Sequence, residues 1–130
     1  MKKVLCLIAV CLCSFLSGCQ SEKKGYTTLS VDDFAQLIAD PAVQRVDVRT
    51  VAEYSSGHIP ESLNVNVLDE ETFVEMASAA LEKDRPVALY CRSGKRSKTA
   101  AKKLSNKGFQ VYELDGGFNA WKAADMPSTR

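Results

Sequence analysis

Histidine and tryptophan occur once each in this 130-residue chain, as His58 and Trp121. Neither sign of charge prevails: 17 Lys and Arg stand against 16 Asp and Glu. A lone histidine offers no imidazole cluster for a metal, and no metal or other cofactor is expected. Near-neutrality excludes bulk attraction to nucleic acid or to an anionic membrane surface. Internal repeats and low-complexity segments are also missing. The main apolar run, Val4 to Leu16, covers 13 residues. That is short of the ~20 needed by a membrane-crossing helix. Preceded by Lys2 and Lys3, it has the build of a secretory signal instead.

The run ends in "LSGC", Leu16 to Cys19, with small residues where a peptidase must approach the backbone. The tetrad resembles the lipobox of bacterial lipoproteins. The resemblance implies a signal peptide over 1–18, a lipidated Cys19 with a polar tether over 19–25, and one domain over 26–130. Several acyl chains on one residue anchor a protein stably, whereas one chain is marginal. Gln20, in place of an aspartate, favours the outer membrane over the inner. The expected location is the bacterial cell envelope, periplasm-facing, with membrane contact through the lipid only.

This reading changes the cysteine count. Cys6, Cys11 and Cys13 fall in the removed segment and Cys19 carries lipid, so Cys91 alone of the five stays free. No intramolecular disulfide can then form. An unpaired thiol in an exported chain is worth treating as a reactive group, although free cysteine also serves as a small buried apolar residue. Loss of Lys2 and Lys3 leaves 15 basic against 16 acidic side chains. Any positive site must therefore be local, and Arg92 to Lys103 is the densest basic run.

Along the domain, apolar strands alternate with amphipathic helices. Strands are expected at Tyr26–Leu29, Val43–Val48, within "SLNVNV" from Ser62, at "PVALY" before Cys91, and within "FQVYEL" from Phe109. Ser30 stands three residues before Asp33, a capping-box spacing. Phe34, Leu37 and Ile38 then share one helical face. Asp40-Pro41 ends that helix. A short helical turn over Thr50–Ser55 closes at Gly57. Asp69 to Glu71 start a helix carrying Phe73, Val74, Ala77, Ala80 and Leu81. Arg96–Lys107 buries Ala100, Ala101 and Leu104, and turns Lys102, Lys103 and Lys107 to solvent. Gly116 and Gly117 make a turn before a last helix over Phe118–Ala124. Such alternation predicts an α/β fold: about five parallel strands with helices on both faces, three layers in all. Ligands of such sheets sit beyond the carboxyl ends of the strands, and Cys91 lies at one.

Three effects converge on Cys91. The segment leads into a helix whose first N–H groups and positive dipole end face the sulfur. Arg92, Lys95 and Arg96 add positive charge. Ser93 and Gly94 let successive N–H groups curl into an anion-binding nest. Such surroundings commonly favour thiolate over thiol. This is an activated nucleophile without a histidine partner. His58, in the "GHIP" turn, is read as structural, and Trp121 as a packing residue.

"CRSGKRS", Cys91 to Ser97, resembles the active-site loop of the rhodanese family, the thiosulfate sulfurtransferases. "VDVRTVAEYSSGHIPESLNV", Val46 to Val65, resembles that family's first motif, and "LDGGFNAWK", Leu114 to Lys122, its closing one. Together and in order, they span most of the domain. The resemblance implies the rhodanese-like fold and a sulfurtransferase. Cys91 would take the outer sulfur of thiosulfate or a similar donor as a persulfide and pass it to a thiol or to cyanide. Backbone N–H groups from Arg92 through Ser93, Gly94 and Lys95 to Arg96 would cradle that sulfur. Arg92 and Arg96 would hold the donor's sulfonate. Arg49 would pair with Glu53, and Asp47 would orient the loop. Implied partners are a small anionic sulfur donor and a thiol acceptor such as a redox protein, with no nucleic acid and a monomeric chain. Two other readings stay open. Cysteine phosphatases use a similar loop, but with five residues between Cys and Arg; here four separate Cys91 from Arg96. The domain could also act as a non-enzymatic persulfide carrier or binding module.

Overall fold

The computed structural model describes residues 25–130. The signal segment, Cys19 and most of the tether lie outside the described residues. The chain runs β1 (Tyr26–Leu29), α1 (Val31–Ile38), β2 (Gln44–Asp47), α2 (Val51–Ser56), β3 (Leu63–Asn64), α3 (Phe73–Ala80), β4 (Val87–Tyr90), α4 (Lys95–Ser105), β5 (Val111–Leu114) and α5 (Gly117–Ala123). All five strands pair in parallel, in the order β1-β5-β4-β2-β3. Each strand therefore needs a crossover, and the helices supply them on both faces.

Strand alternation decides what each face buries. Val87 and Leu89 of β4 point to one face, packed with Phe73 and Ala77 of α3 and Ala100, Ala101 and Leu104 of α4. Ala88 and Tyr90 point to the other, packed with Phe34 and Ile38 of α1 and Phe118 and Trp121 of α5. With a period of two, the next residue, Cys91, turns to the α4 face. The whole of β4 is buried, as a central parallel strand should be. Side chains such as Leu89 and Leu104 contribute about 1.5–3 kcal/mol each on burial. Glu113, on β5, shares the face of Val111 by the same alternation and is also fully buried.

The expected elements are present, and most ends shift by one or two residues; α3 is the exception, starting at Phe73, so that Asp69 to Glu71 form the turn before the helix rather than its first residues. Only the third strand is much shorter than its alternating sequence suggests. β3 is an edge strand, and its ladder ends at Asn64. The chain nonetheless keeps tracking β2: Val65 N–H donates to the Asp47 carbonyl and Val67 N–H to that of Val48. Ser30 caps α1 by accepting from the Asp33 amide at 3.2 Å. Thr50 and Glu53 form a full capping box at the start of α2. No helix among the described residues is long and apolar enough to cross a membrane.

Candidate active site

β4 ends at Tyr90, and the next four residues turn the chain into α4. Gly94 makes the turn possible with φ of 97°, in the left-handed region where a side chain is strained. That conformation aims its amide at Cys91, and the N–H donates to Sγ at 3.1 Å. Among the described residues it is the one backbone amide that does so. The cradle foreseen from Arg92 to Arg96 thus narrows, in this state, to a single donor. Arg92, Ser93 and Lys95 are exposed, Gly94 is buried, and Arg96 is partly covered. Cys91 itself is fully buried and free.

The turn is held from behind by the start of α5. Phe118 N–H donates to the Cys91 carbonyl at 2.8 Å, and Asn119 N–H to that of Arg92 at 3.0 Å. This approach requires glycine at 117. A Cβ there would meet the Cys91 carbonyl oxygen at 2.5 Å and Arg92 backbone at 2.7 Å, with φ already at 60°. The two-glycine turn of the closing motif is therefore the seat of the loop.

The charges pair differently from expectation. Arg49 does not pair with Glu53. Its Nε lies 3.0 and 3.1 Å from the two carboxylate oxygens of Asp47, and its Nη2 lies 2.7 Å from Oδ2. Residues two apart on an extended chain share a face, and α2 begins only at Val51, so helical i, i+4 spacing does not reach from Arg49 to Glu53. The guanidinium also donates to the Gly57 carbonyl and lies 4.4 Å from the centroid of the Phe118 ring. Asp47 spends its carboxylate on Arg49 and on the Arg49 amide, not on the loop, so its role as a loop-orienting residue is corrected too.

Glu53 instead grips Arg96. The fork is two-pronged, at 2.7 and 2.9 Å. These hydrogen bonds hold the Glu53 carboxyl down to about 2, against burial, which pushes it up. The same bonds push Arg96 up, against burial, with smaller help from the charges of Glu53, Cys91 and Asp47. The pair ties α2 to the first turn of α4 and so fixes the loop between them. A carboxyl lowered on folding stabilises the fold fully above its unfolded value, here 4.5, and loses that contribution as pH falls through its folded value. The stability gap between wild type and Glu53→Gln should therefore be widest near neutrality. It should close as pH drops from about 4.5 toward 2 in denaturant titrations. A gap that stays constant across that range would contradict the pairing.

A cavity of about 470 Å³ opens beside the loop, bordered by Arg49, Glu53, Arg92, Phe118, Asn119, Lys122 and Arg130. Cationic side chains on its wall outnumber the single acidic one, with Arg49, Arg92, Lys122 and Arg130 against Glu53. Arg92 belongs to both loop and cavity, whereas the Cys91 sulfur does not line it. His58 packs its ring on Tyr54 at 3.7 Å, and its Nδ1 lies 2.9 Å from the Tyr54 carbonyl. Trp121 donates to the Pro127 carbonyl and meets Phe34 edge-on. No cluster of His, Cys, Asp and Glu suited to a metal ion occurs among the described residues.

The sequence reading missed three connected groups that lead away from the sulfur: Ser97, Glu113 and Lys98. Ser97, on the first turn of α4, has its hydroxyl 3.4 Å from Cys91 Sγ and 2.8 Å from Glu113 Oε1. Lys98 Nζ lies 3.2 Å from the same carboxylate oxygen. The available signal was an acidic residue inside the otherwise apolar strand "FQVYEL". A carboxylate at a buried alternation position needs partners, and these are supplied by α4.

The described domain matches a family of known proteins. Residues 30–124 match the model of the rhodanese-like domain. The thiosulfate sulfurtransferase GlpE of Shewanella oneidensis is 38% identical over 98 residues, which is 75% of this chain and 93% of that protein. Among solved structures, a rhodanese-related protein of Thermoplasma volcanium superposes with a TM-score of 0.70 at 27% identity, covering 80% of this chain and 98% of the other. A Rhodopseudomonas palustris protein of unknown function, named a possible tyrosine phosphatase, has a TM-score of 0.67 at 29% identity. That match covers 81% of this chain and 86% of that one.

Proposed function

Because this chain belongs to the rhodanese-like domain family, we propose that it moves sulfane sulfur through a persulfide on Cys91. The observation that carries the reading is the sulfur itself: a free thiol at the end of β4, with the Gly94 amide donating to it at 3.1 Å. A terminal persulfide sulfur is an anion, and N–H donors and a helix start suit it. The donor would be thiosulfate or another small anion with a transferable outer sulfur. The Cys91 thiolate attacks that sulfur, the S–S bond of thiosulfate breaks, and sulfite leaves. A thiol or cyanide then takes the sulfur and restores the thiolate. Sγ is fully buried, so the donor reaches it only as the loop yields. Arg92, exposed and on the cavity wall, is the group placed to receive the departing sulfite. A redox protein that brings its own thiol would fit as acceptor.

Phosphatase chemistry has less support. Four residues separate Cys91 from Arg96, which makes a tighter loop than a phosphate needs. Glu53 already occupies the Arg96 fork. The assay that separates the readings is thiocyanate formation from thiosulfate and cyanide, run beside hydrolysis of a generic phosphate ester. Thiocyanate without hydrolysis supports the proposal; hydrolysis without thiocyanate overturns it. A pure persulfide carrier would load sulfur once without turnover.

The same proposal places the domain at the cell envelope, facing the periplasm, monomeric and held by lipid on Cys19. Its support is the "LSGC" sequence after an apolar segment. In fractionated cells, Cys19→Ala should shift the protein from the membrane pellet to the soluble fraction. Retention in the pellet would contradict lipidation.

A further inference from the structure

Glu113 is a carboxylate at 0% exposure in the strand beside β4, and the sulfur transfer proposed above makes no use of it. We propose that Glu113 takes the proton of Cys91, with the Ser97 hydroxyl as the relay between them; this rests on Cys91 being the nucleophile.

The geometry sets the direction. An ionised carboxylate only accepts hydrogen bonds, so at 2.8 Å the Ser97 hydroxyl must donate to Glu113 Oε1. That turns a lone pair of Ser97 Oγ toward Sγ, 3.4 Å away. On its other side the sulfur accepts from Gly94 N–H. A sulfur with an acceptor on one side and a donor on the other is arranged as a thiol, its S–H directed at Ser97. Ser97 is as buried as Glu113, so bulk water does not intervene as base.

The step moves one proton and changes no oxidation state. The S–H bond breaks as its proton passes to Ser97 Oγ, and the Ser97 O–H bond breaks as its proton passes to Glu113 Oε1. The products are a thiolate and a neutral Glu113. Ser97 now donates to sulfur instead of accepting from it, so the thiolate holds two donors, Ser97 Oγ–H and Gly94 N–H. When an acceptor takes the sulfur, the thiolate returns and recovers its proton by the same path. Lys98, with its side chain 44% exposed, balances the carboxylate while it is charged and can turn to water when it is not. The other neighbours of Glu113 do not titrate: the sheet register puts Thr28 of β1 and Leu89 of β4 opposite it. Arg96, also on α4, is occupied by Glu53.

A shared proton has a kinetic signature. Over the pH range in which Cys91 and Glu113 hold one proton between them, the reactive form is an isomer of the resting form, and the rate does not depend on pH. A lone thiol would instead lose rate tenfold per pH unit as its thiolate is protonated. The test follows iodoacetamide alkylation of Cys91 in the full chain by peptide mass spectrometry from pH 5 to 9, with no sulfur donor present. Wild type should show a plateau. Glu113→Gln should lose it and react about tenfold or more slowly at pH 6. Ser97→Ala should behave alike, whereas Ser97→Thr, which keeps the hydroxyl, should restore the plateau. A wild type without a plateau, or a Glu113→Gln variant that melts like wild type and keeps one, overturns the proposal; if Glu113→Gln does not fold, Ser97→Ala decides by the same criterion. Sulfur loading from thiosulfate is measured in parallel. A plateau without loading leaves the relay standing and removes the sulfur-transfer reading. Loading that ignores Glu113 and Ser97 keeps the transfer and removes the relay.

Discussion

Cys91→Ser should lower thiocyanate formation by about a thousandfold or more, with a melting temperature close to that of wild type. A serine oxygen at neutral pH is a far weaker nucleophile than a thiolate, and it cannot form the S–S bond on which transfer depends. The fold should tolerate the change, because the loop is held by other contacts. Phe118 and Asn119 amides bind the carbonyls of residues 91 and 92, and Glu53 holds Arg96. What changes locally is the sulfur's contacts with the Gly94 N–H and the Ser97 hydroxyl, which a serine hydroxyl can partly replace. Assay and melt together separate chemistry from stability. Substantial turnover by a folded Cys91→Ser protein would remove Cys91 from the mechanism.

Asp47→Ala should have the largest effect on stability. It leaves the Arg49 guanidinium, 4% exposed as a residue, with the Gly57 carbonyl and the Phe118 and Tyr90 rings as its remaining partners. Breaking one side of a buried ion pair costs about 3–5 kcal/mol, because the surviving charge stays desolvated. At roughly 4–8 °C per kcal/mol for a domain of this size, the melting temperature should fall by more than about 10 °C. Paired replacement of both residues by apolar ones of similar volume should cost much less. A single-variant loss below about 1 kcal/mol in denaturant titration would show that Arg49 finds water or another carboxylate, and would contradict this account of the pair.

The layered fold was legible because periods of two and of 3.6 residues alternate cleanly along the chain. A fully apolar "PVALY" could only be a central strand, and its end marked the nucleophile. The charge partners were less legible. Asp47, Arg49, Glu53 and Arg96 offer several chemically reasonable pairings, and the choice depends on where the backbone turns. Arg49 stands before α2 starts and so folds back along its own strand to Asp47. Glu53, one turn into α2, faces α4. Ser97 and Glu113 are 16 positions apart, and only the parallel register of β4 and β5, with α4 laid over both, sets Ser97 between Glu113 and the sulfur. Local spacing has no access to that juxtaposition. The buried acidic residue in "FQVYEL" was its one trace.

The most direct test of the central claim is the intact mass of the protein after incubation with thiosulfate. The account predicts a gain of one sulfur atom, removed by cyanide and absent from Cys91→Ser. A wild-type mass unchanged by thiosulfate and by other sulfane donors would contradict it.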